Sequence, residues 1–265
     1  MILPPLSYGP TALDIAQAAG ASGLAFAVVL LARRQGVRLE RESAVALVRG
    51  VVQVLAAGAV LSFVLRGPLG VAALTLVVML VFAARIAAGR VPDVPGAFPN
   101  TLAGIGAGSG VVILAMVSLH VVKPDVLDVI TVGSMILANA MNTSALALER
   151  LRSELDAHRG YVEAGLSLGA SPAQVASPYV QRAVRASLIP RLDSLSSLGI
   201  VWIPGLMAGM VLSGASPLAA AVLQFVTLAL VLAAGGLTAL VCVRLLRGRA
   251  FTTADQLALP PSERP

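Results

Sequence analysis

Asn139 and Asn142 place two carboxamides three residues apart inside an apolar run, and Thr143 and Ser144 add hydroxyls beside them. Residues three apart share one face of a helix. A polar face inside hydrocarbon either lines a translocation path or hydrogen-bonds a neighbouring helix. Met135 and Met141 flank the amides, and Met207 and Met210 follow Pro204-Gly205. Thioethers are soft donors that suit soft metals, and they are equally good flexible fillers of a core. Gln53 and Gln224 stand alone in apolar runs and admit the same two roles. The candidates for a path are therefore Gln53, Met135, Asn139, Met141, Asn142, Pro204, Met207 and Gln224. Bond-breaking chemistry finds no support. There is no His-Glu-x-x-His, no Gly-x-Ser-x-Gly and no paired aspartates, and no catalytic residue is assigned. Cys242 is the only cysteine, which excludes an intrachain disulfide and a cysteine-based metal cluster.

The elements that must carry these residues are membrane helices. Apolar side chains make up 57% of the chain and charged ones 12%, and mean hydropathy is +0.89. Soluble domains carry about 25% charge, so this chain lacks the polar surface to cover a globule in water. The net charge of +6 could suit nucleic acid. Its arginines instead fall in short clusters between apolar runs, without the basic, aromatic-interleaved stripe that such binding uses. Met1 to Ala12 lacks a cationic leader, which predicts no cleaved signal peptide.

About 20 mostly apolar residues cross the hydrocarbon as a helix. Seven segments qualify, near 12–32, 44–65, 68–88, 101–121, 126–147, 188–212 and 217–246. Pro68, Pro99, Pro124 and Pro217 sit at or near boundaries. Asp125 with Asp128, and Ser216 with Pro217, have the form of helix starts. The expected fold is an all-α integral membrane protein of about seven spans, forming one transmembrane domain over residues 1–265. Basic residues follow the positive-inside rule with the N-terminus outside and the C-terminus in the cytoplasm. Sixteen arginines then lie in inner segments, against Arg66 and Lys123 outside. His120 and His158 fall on opposite sides and cannot share a metal. The expected location is the cell (inner or plasma) membrane.

One inner segment, residues 149–186, is much longer than the others. Leu148, Leu151, Leu155, Val162 and Leu166 recur at helical spacing, and Arg150/Glu154, Arg152/Asp156 and Arg159/Glu163 are opposite charges at i,i+4. This predicts a solvated helical platform beneath the membrane. Within it, Glu163-Ala164-Gly165 leads to Gly169-Ala170-Ser171-Pro172-Ala173-Gln174. Gly169 suits a helix C-terminus. Ser171, Pro172 and Gln174 fit N-cap, N1 and N3 of a capping box. A short helix should therefore meet another at a tight joint. The bland alternative is a well-capped joint with no partner.

The joint resembles the EAA motif of ABC-transporter permeases, whose coupling helix docks on an ATPase. Glu163, Ala164 and Gly169 match that motif. In importers an apolar-proline pair follows about eleven residues after the glycine. Here those positions are Val180 and Gln181, and the proline comes at Pro190. The chain more closely resembles the FetB-like iron-export permeases, which include plant relatives linked to aluminium tolerance. Gly133 to Asn142, Leu168 to Pro172, Arg185 to Pro190 and Val201 to Gly209 carry the resemblance, with Phe251-Thr252 and Gln256-Leu257. Trp202 and Ala208 depart from the family pattern.

The resemblance implies coupling to an ATPase through Glu163, Ala164, Gly169, Ala170, Ser171, Pro172 and Gln174. It implies a homodimer of permeases with two ATPase subunits, exporting iron or another metal or metal-related solute. ATP and Mg would bind the partner, with no cofactor on this chain. A P-loop needs Gly-x-x-x-x-Gly-Lys-Ser/Thr, and the only lysine, Lys123, follows Val122. The alternatives are an importer permease for a small solute, an intramembrane enzyme, or a channel without ATP. Finally, Gly104, Gly106, Gly108 and Gly110 alternate within one span, and Gly205 and Gly209 recur in another. Such small faces predict close helix contact, and Pro204-Gly205 predicts a break.

Overall fold

The computed structural model describes residues 12–35, 40–64, 67–94, 96–122, 125–252 and 254–259. The chain divides into two compact units, Met1–Arg66 and Gly67–Pro265. The first is a pair of helices, α1 (Ala12–Arg34) and α2 (Glu40–Val64), whose near ends are joined by an Arg33–Glu40 ion pair at 2.9 Å. Both are long and apolar enough to span a bilayer. Gln53 is exposed on α2.

The second unit holds α3 (Leu69–Ala88), α4 (Ala97–Ser118), α5 (Val126–Ala157), α6 (Arg159–Ser167), α7 (Pro172–Ser196), α8 (Gly205–Leu212) and α9 (Pro217–Ala250). Helices α4, α5 and α9 pack together at its centre. Helix α3 lies against α4 and α5, and α7 lies against α5 and α9. The glycines of α4 explain the tightest seam. A Cβ on Gly104 would lie 2.1 Å from Cys242 Sγ, and one on Gly108 would lie 2.1 Å from Thr238 Oγ1 and 2.6 Å from Thr238 N. Four residues forward on α4 answer four residues back on α9, so the two helices run antiparallel with almost touching backbones. The expected small-face contact therefore forms for these two glycines. Gly106 meets only Leu80 at 3.6 Å, and Gly110 meets nothing within 4 Å. Thr101 Oγ1 donates to Ala84 O at 2.8 Å, tying α4 to α3.

Six described helices are long and apolar enough to cross a membrane: α1, α2, α3, α4, α5 and α9. The seventh expected span, 188–212, is interrupted. Helix α7 stops at Ser196, residues 197–204 are irregular with a Leu198–Trp202 bridge, and α8 resumes at Gly205. The local sequence accounts for this. Ser194, Ser196 and Ser197 bond their hydroxyls back to backbone carbonyls, Gly199 turns the chain at φ +75°, and Pro204 restarts it as N-cap of α8.

The expected starts of α5 and α9 also form. Asp125 accepts from Asp128 N at 2.8 Å, and Ser216 accepts from Ala219 N at 3.3 Å. Helix α5 differs from expectation at its other end: it runs unbroken through Ala157, so span and platform are one rod. Its face at Ala147, Leu148, Leu151 and Leu155 joins Val162, Ala176, Tyr179, Ala183 and the end of α9 in a core cluster. The described residues after α9, 251–252 and 254–259, reach back to that cluster. Phe251 bridges Leu257, Leu259 is 2% exposed, and Arg159 Nη2 donates to Leu259 O.

Candidate functional site

At the charged end of the bundle, α6 and α7 meet at the joint expected from sequence. Gly169 N donates to Leu166 O at 3.0 Å and Ala170 N to Gly165 O at 3.1 Å, the paired bonds of a Schellman motif. Gly169 sits at φ +88° with open space around it, so its requirement for glycine is conformational and not steric. The next helix begins at once. Gln174 N donates to Ser171 Oγ at 3.4 Å, and Ser171 N donates to Gln174 Oε1 at 2.9 Å. Both halves of the capping box are therefore made, with Pro172 at N1. The amides of Gly169, Ala170, Ser171 and Gln174 are all bonded locally, which stiffens the joint.

Its underside is anchored by apolar packing. Val162 and Ala176 are buried, with Leu166 and Val175 packed on the same cluster. Gly165 allows the close approach, since a Cβ there would sit 3.1 Å from Val175 Cγ2. Its outer side is open. Glu163, Ala164, Gly169, Ser171 and Gln174 are exposed, and Ala170 and Pro172 are half-buried. Arg159 holds Glu163 at 3.7 Å. Leu168, at the apex, is 88% exposed and Tyr161 is 78% exposed. Sequence reasoning assigned neither of these a role. The available signal was a bulky apolar side chain directly before a helix-ending glycine, in a segment too charged to lie in lipid.

A buried carboxylate with two largely exposed arginines supports the joint from behind. Glu154 is 7% exposed. It pairs with Arg150 at 2.8 Å, as its i,i+4 spacing predicts, and with Arg182 of α7 at 3.4 Å. His158 Nδ1 stands 3.8 Å from the same carboxylate. The His158 ring packs on Tyr179 with centroids 5.0 Å apart, and the Arg182 guanidinium lies 5.9 Å over that ring. A buried carboxylate left without its cations would be strongly destabilising, so this cluster fixes α7 against α5. Arg152 also reaches out of its helix, to Asp93 on the α3–α4 connection at 2.6 Å.

The path candidates do not form one cluster. On α5, Asn139 is half-buried and its Nδ2 donates to Met135 O at 2.7 Å. Thr143 Oγ1 donates to Asn139 O at 2.8 Å. Asn142 is exposed, while Met135 and Met141 are half-buried. Gln224 on α9 is 1% exposed, and neither amide atom has a hydrogen-bond partner among the described residues. It lies at another depth. Gly235 of α9 is level with Thr143, where a Cβ would stand 3.1 Å from Thr143 Oγ1. Eleven residues back from each are Gln224 and Val132, so Gln224 sits about 10–15 Å along the axis from Asn139 and Asn142. Pro204 is buried and Met207 half-buried around the restart at α8. Among the described residues no group of three or more His, Cys, Asp or Glu could hold a metal.

A multi-pass α-helical bundle with an interrupted helix and a capped joint in a charged layer has the architecture of an all-α membrane protein. The chain belongs to the family described as "Uncharacterised protein family (UPF0014)", which matches residues 15–251. It is similar to "UPF0014 membrane protein YjkA" of Bacillus subtilis, 33% identical over 83% of this chain and 88% of the relative. It is also similar to "Protein ALUMINUM SENSITIVE 3" of Arabidopsis thaliana, 32% identical over 86% of this chain and 84% of that protein. "Probable iron export permease protein FetB" of Escherichia coli is 25% identical over 89% of this chain and 92% of its own length. No solved structure matches. Together these findings support a membrane transporter permease and bear out the FetB-like resemblance carried by the sequence motifs.

Proposed function

We propose that this chain is the permease subunit of an ATP-driven ABC exporter, working as a homodimer with a separate ATPase and moving iron or another metal or metal-related solute outward. The observation that carries the reading is the joint at Gly165–Gln174. It is stiff, capped at both ends, anchored beneath, and topped by an exposed Leu168 in a charged layer. An apolar apex outside lipid favours a protein partner. The names of the relatives favour the same class, since one is named "Probable iron export permease protein FetB".

In this reading the charged layer is cytoplasmic, with the N-terminus outside. Residues 149–186 form the coupling region, and ATP with Mg binds only the partner. Closure of the ATPase dimer pushes the joint. Because α5 is one rod from Val126 to Ala157 and Glu154 clamps α7 to it, the push is delivered to both helices. Asn139 and Asn142 of α5, with the broken α7–α8 segment, then line an alternating-access path. Gln53, Met135, Met141, Met207 and Gln224 are further lining candidates. Affinity purification of the tagged chain from its own cells is expected to bring down an ATPase subunit in equal amount. Recovery of the permease with no ATPase, under conditions that keep its dimer, would contradict the proposal.

A further inference from the structure

Helix α7 carries charge to a depth where none belongs, and its position can be read from its neighbour. The pairs Glu154–Arg182 and His158–Tyr179 set α5 and α7 antiparallel, with residue numbers at one level summing to about 336. Residues 129–148 of α5 are twenty residues without a charge, enough to cross about 30 Å of hydrocarbon. Carried on along the helix axis past Pro190, this register sets Asp193, eleven residues beyond Arg182, level with Thr143, eleven before Glu154. That is five residues inside the uncharged stretch, about 8 Å from its charged edge. Ser196, the end of α7, is level with Ala140, about 12 Å in.

Asp193 and Ser196 are both exposed on the surface of this chain, three residues apart and so on one face. No ion pair engages Asp193 among the described residues. Arg191 stands two positions before it, on the other side of the helix, with its Nε buried and unpartnered. Arg185, two turns below, is level with Leu151 in the charged layer. The helix end itself adds negative potential, since carbonyl ends point out of a C-terminus. An acid in that last turn opposes the dipole, and the turn itself holds no basic residue. Asp193 and the carbonyl end of α7 therefore put negative charge on one face inside the bilayer, where the helix breaks, with Arg191 on the opposite face. Lipid is a poor neighbour for such a face, and acids held at this depth mark ion pathways.

We infer that Asp193, assisted by the Ser196 hydroxyl, is a cation-binding position on the transport path. The inference rests on the permease reading above and names the residue through which that path takes its substrate. Carboxylate and hydroxyl oxygens are hard donors, suited to a divalent metal cation. Ser196 Oγ donates its own hydrogen to Leu192 O at 2.8 Å, which leaves its lone pairs free to accept. In a homodimer with its two-fold axis along the membrane normal, both copies of Asp193 lie at the same depth. Where the two faces meet at that axis, two carboxylates share one cation.

Binding of Mn2+, used alone as the probe, is to be measured on the purified chain in lipid nanodiscs by electron paramagnetic resonance. Asp193→Asn should weaken binding tenfold or more, Ser196→Ala a few-fold, and Asp193→Glu should retain most of it. All three should keep the wild-type elution profile, because the face is exposed. Equal Mn2+ binding by wild type and Asp193→Asn, or none by wild type, would overturn the inference. ATP-driven transport is read separately in proteoliposomes with the partner ATPase. Loss of binding on Asp193→Asn, with no transport by wild type, would keep the site and remove the exporter reading. Transport by Asp193→Asn at the wild-type rate would remove the site and keep the exporter.

Discussion

Replacing Gly169 with valine, or Glu163 with lysine, is expected to abolish transport-linked ATP hydrolysis while leaving the membrane bundle folded. The reasons differ. Gly169 has φ +88° and open space around it, so valine meets no clash with neighbours. It meets the intrinsic cost of the left-handed region, on the order of 1–2 kcal/mol, which is worse for a β-branched side chain. That is enough to unwind the Schellman turn and swing the apex at Leu168. The core beneath is held independently by Val162, Leu166 and Ala176. Glu163→Lys leaves the turn intact and reverses a charge on the exposed side, placing a cation beside Arg159. ATPase association should fall at least tenfold in both variants, measured by co-purification and by stimulated ATP hydrolysis. Undiminished association in both would make this segment an ordinary turn.

Gly108→Leu is expected to have the largest effect on the fold. The added atoms would enter the space of Thr238 N at 2.6 Å and its Cα at 2.8 Å. Backbone cannot rotate away as a side-chain tip can, so α4 and α9 must separate along the seam that also holds Gly104 and Cys242. Overpacking typically costs about 1–3 kcal/mol, and a backbone clash at the central seam belongs above that range. The variant should elute as aggregate or lose 10 °C or more in Tm on the order-of-magnitude scale for a domain of this size. Gly110→Ala provides the contrast, since nothing lies within 4 Å of its Cβ. It should match wild type. A stable Gly108→Leu bundle would mean that α4 and α9 do not pack as described.

These two glycines also show what could be read from sequence. The alternation from Gly104 to Gly110 announces a close helix face, but a pattern cannot say which pair meets the partner. That depends on the register with Thr238 and Cys242, fixed by tertiary packing. Local rules served best where the chemistry is local. The caps at Asp125, Ser171 and Ser216 and the turn at Gly169 all formed where the residues indicated. Hydropathy located six spans and overstated the seventh. A window average across 188–212 hides the serines that end α7 and the glycine that turns the chain. Charge spacing found Arg150–Glu154 but not Arg182 as the second partner of Glu154, because 28 residues of joint and helix separate them. The path candidates were the least legible part. A lone amide in an apolar run is identical on paper whether it faces a pore or a neighbour, and only depth separates Gln224 from Asn139 and Asn142.

This permease is expected to move its substrate only when a partner hydrolyses ATP. The direct measurement is metal flux in proteoliposomes containing the purified chain, its co-purified ATPase, and Mn2+ or Fe2+ on one side. Flux that requires hydrolysable ATP, runs away from the ATPase face, and stops in Gly169→Val is the predicted result. Flux of equal rate without ATP or without the ATPase would contradict the account.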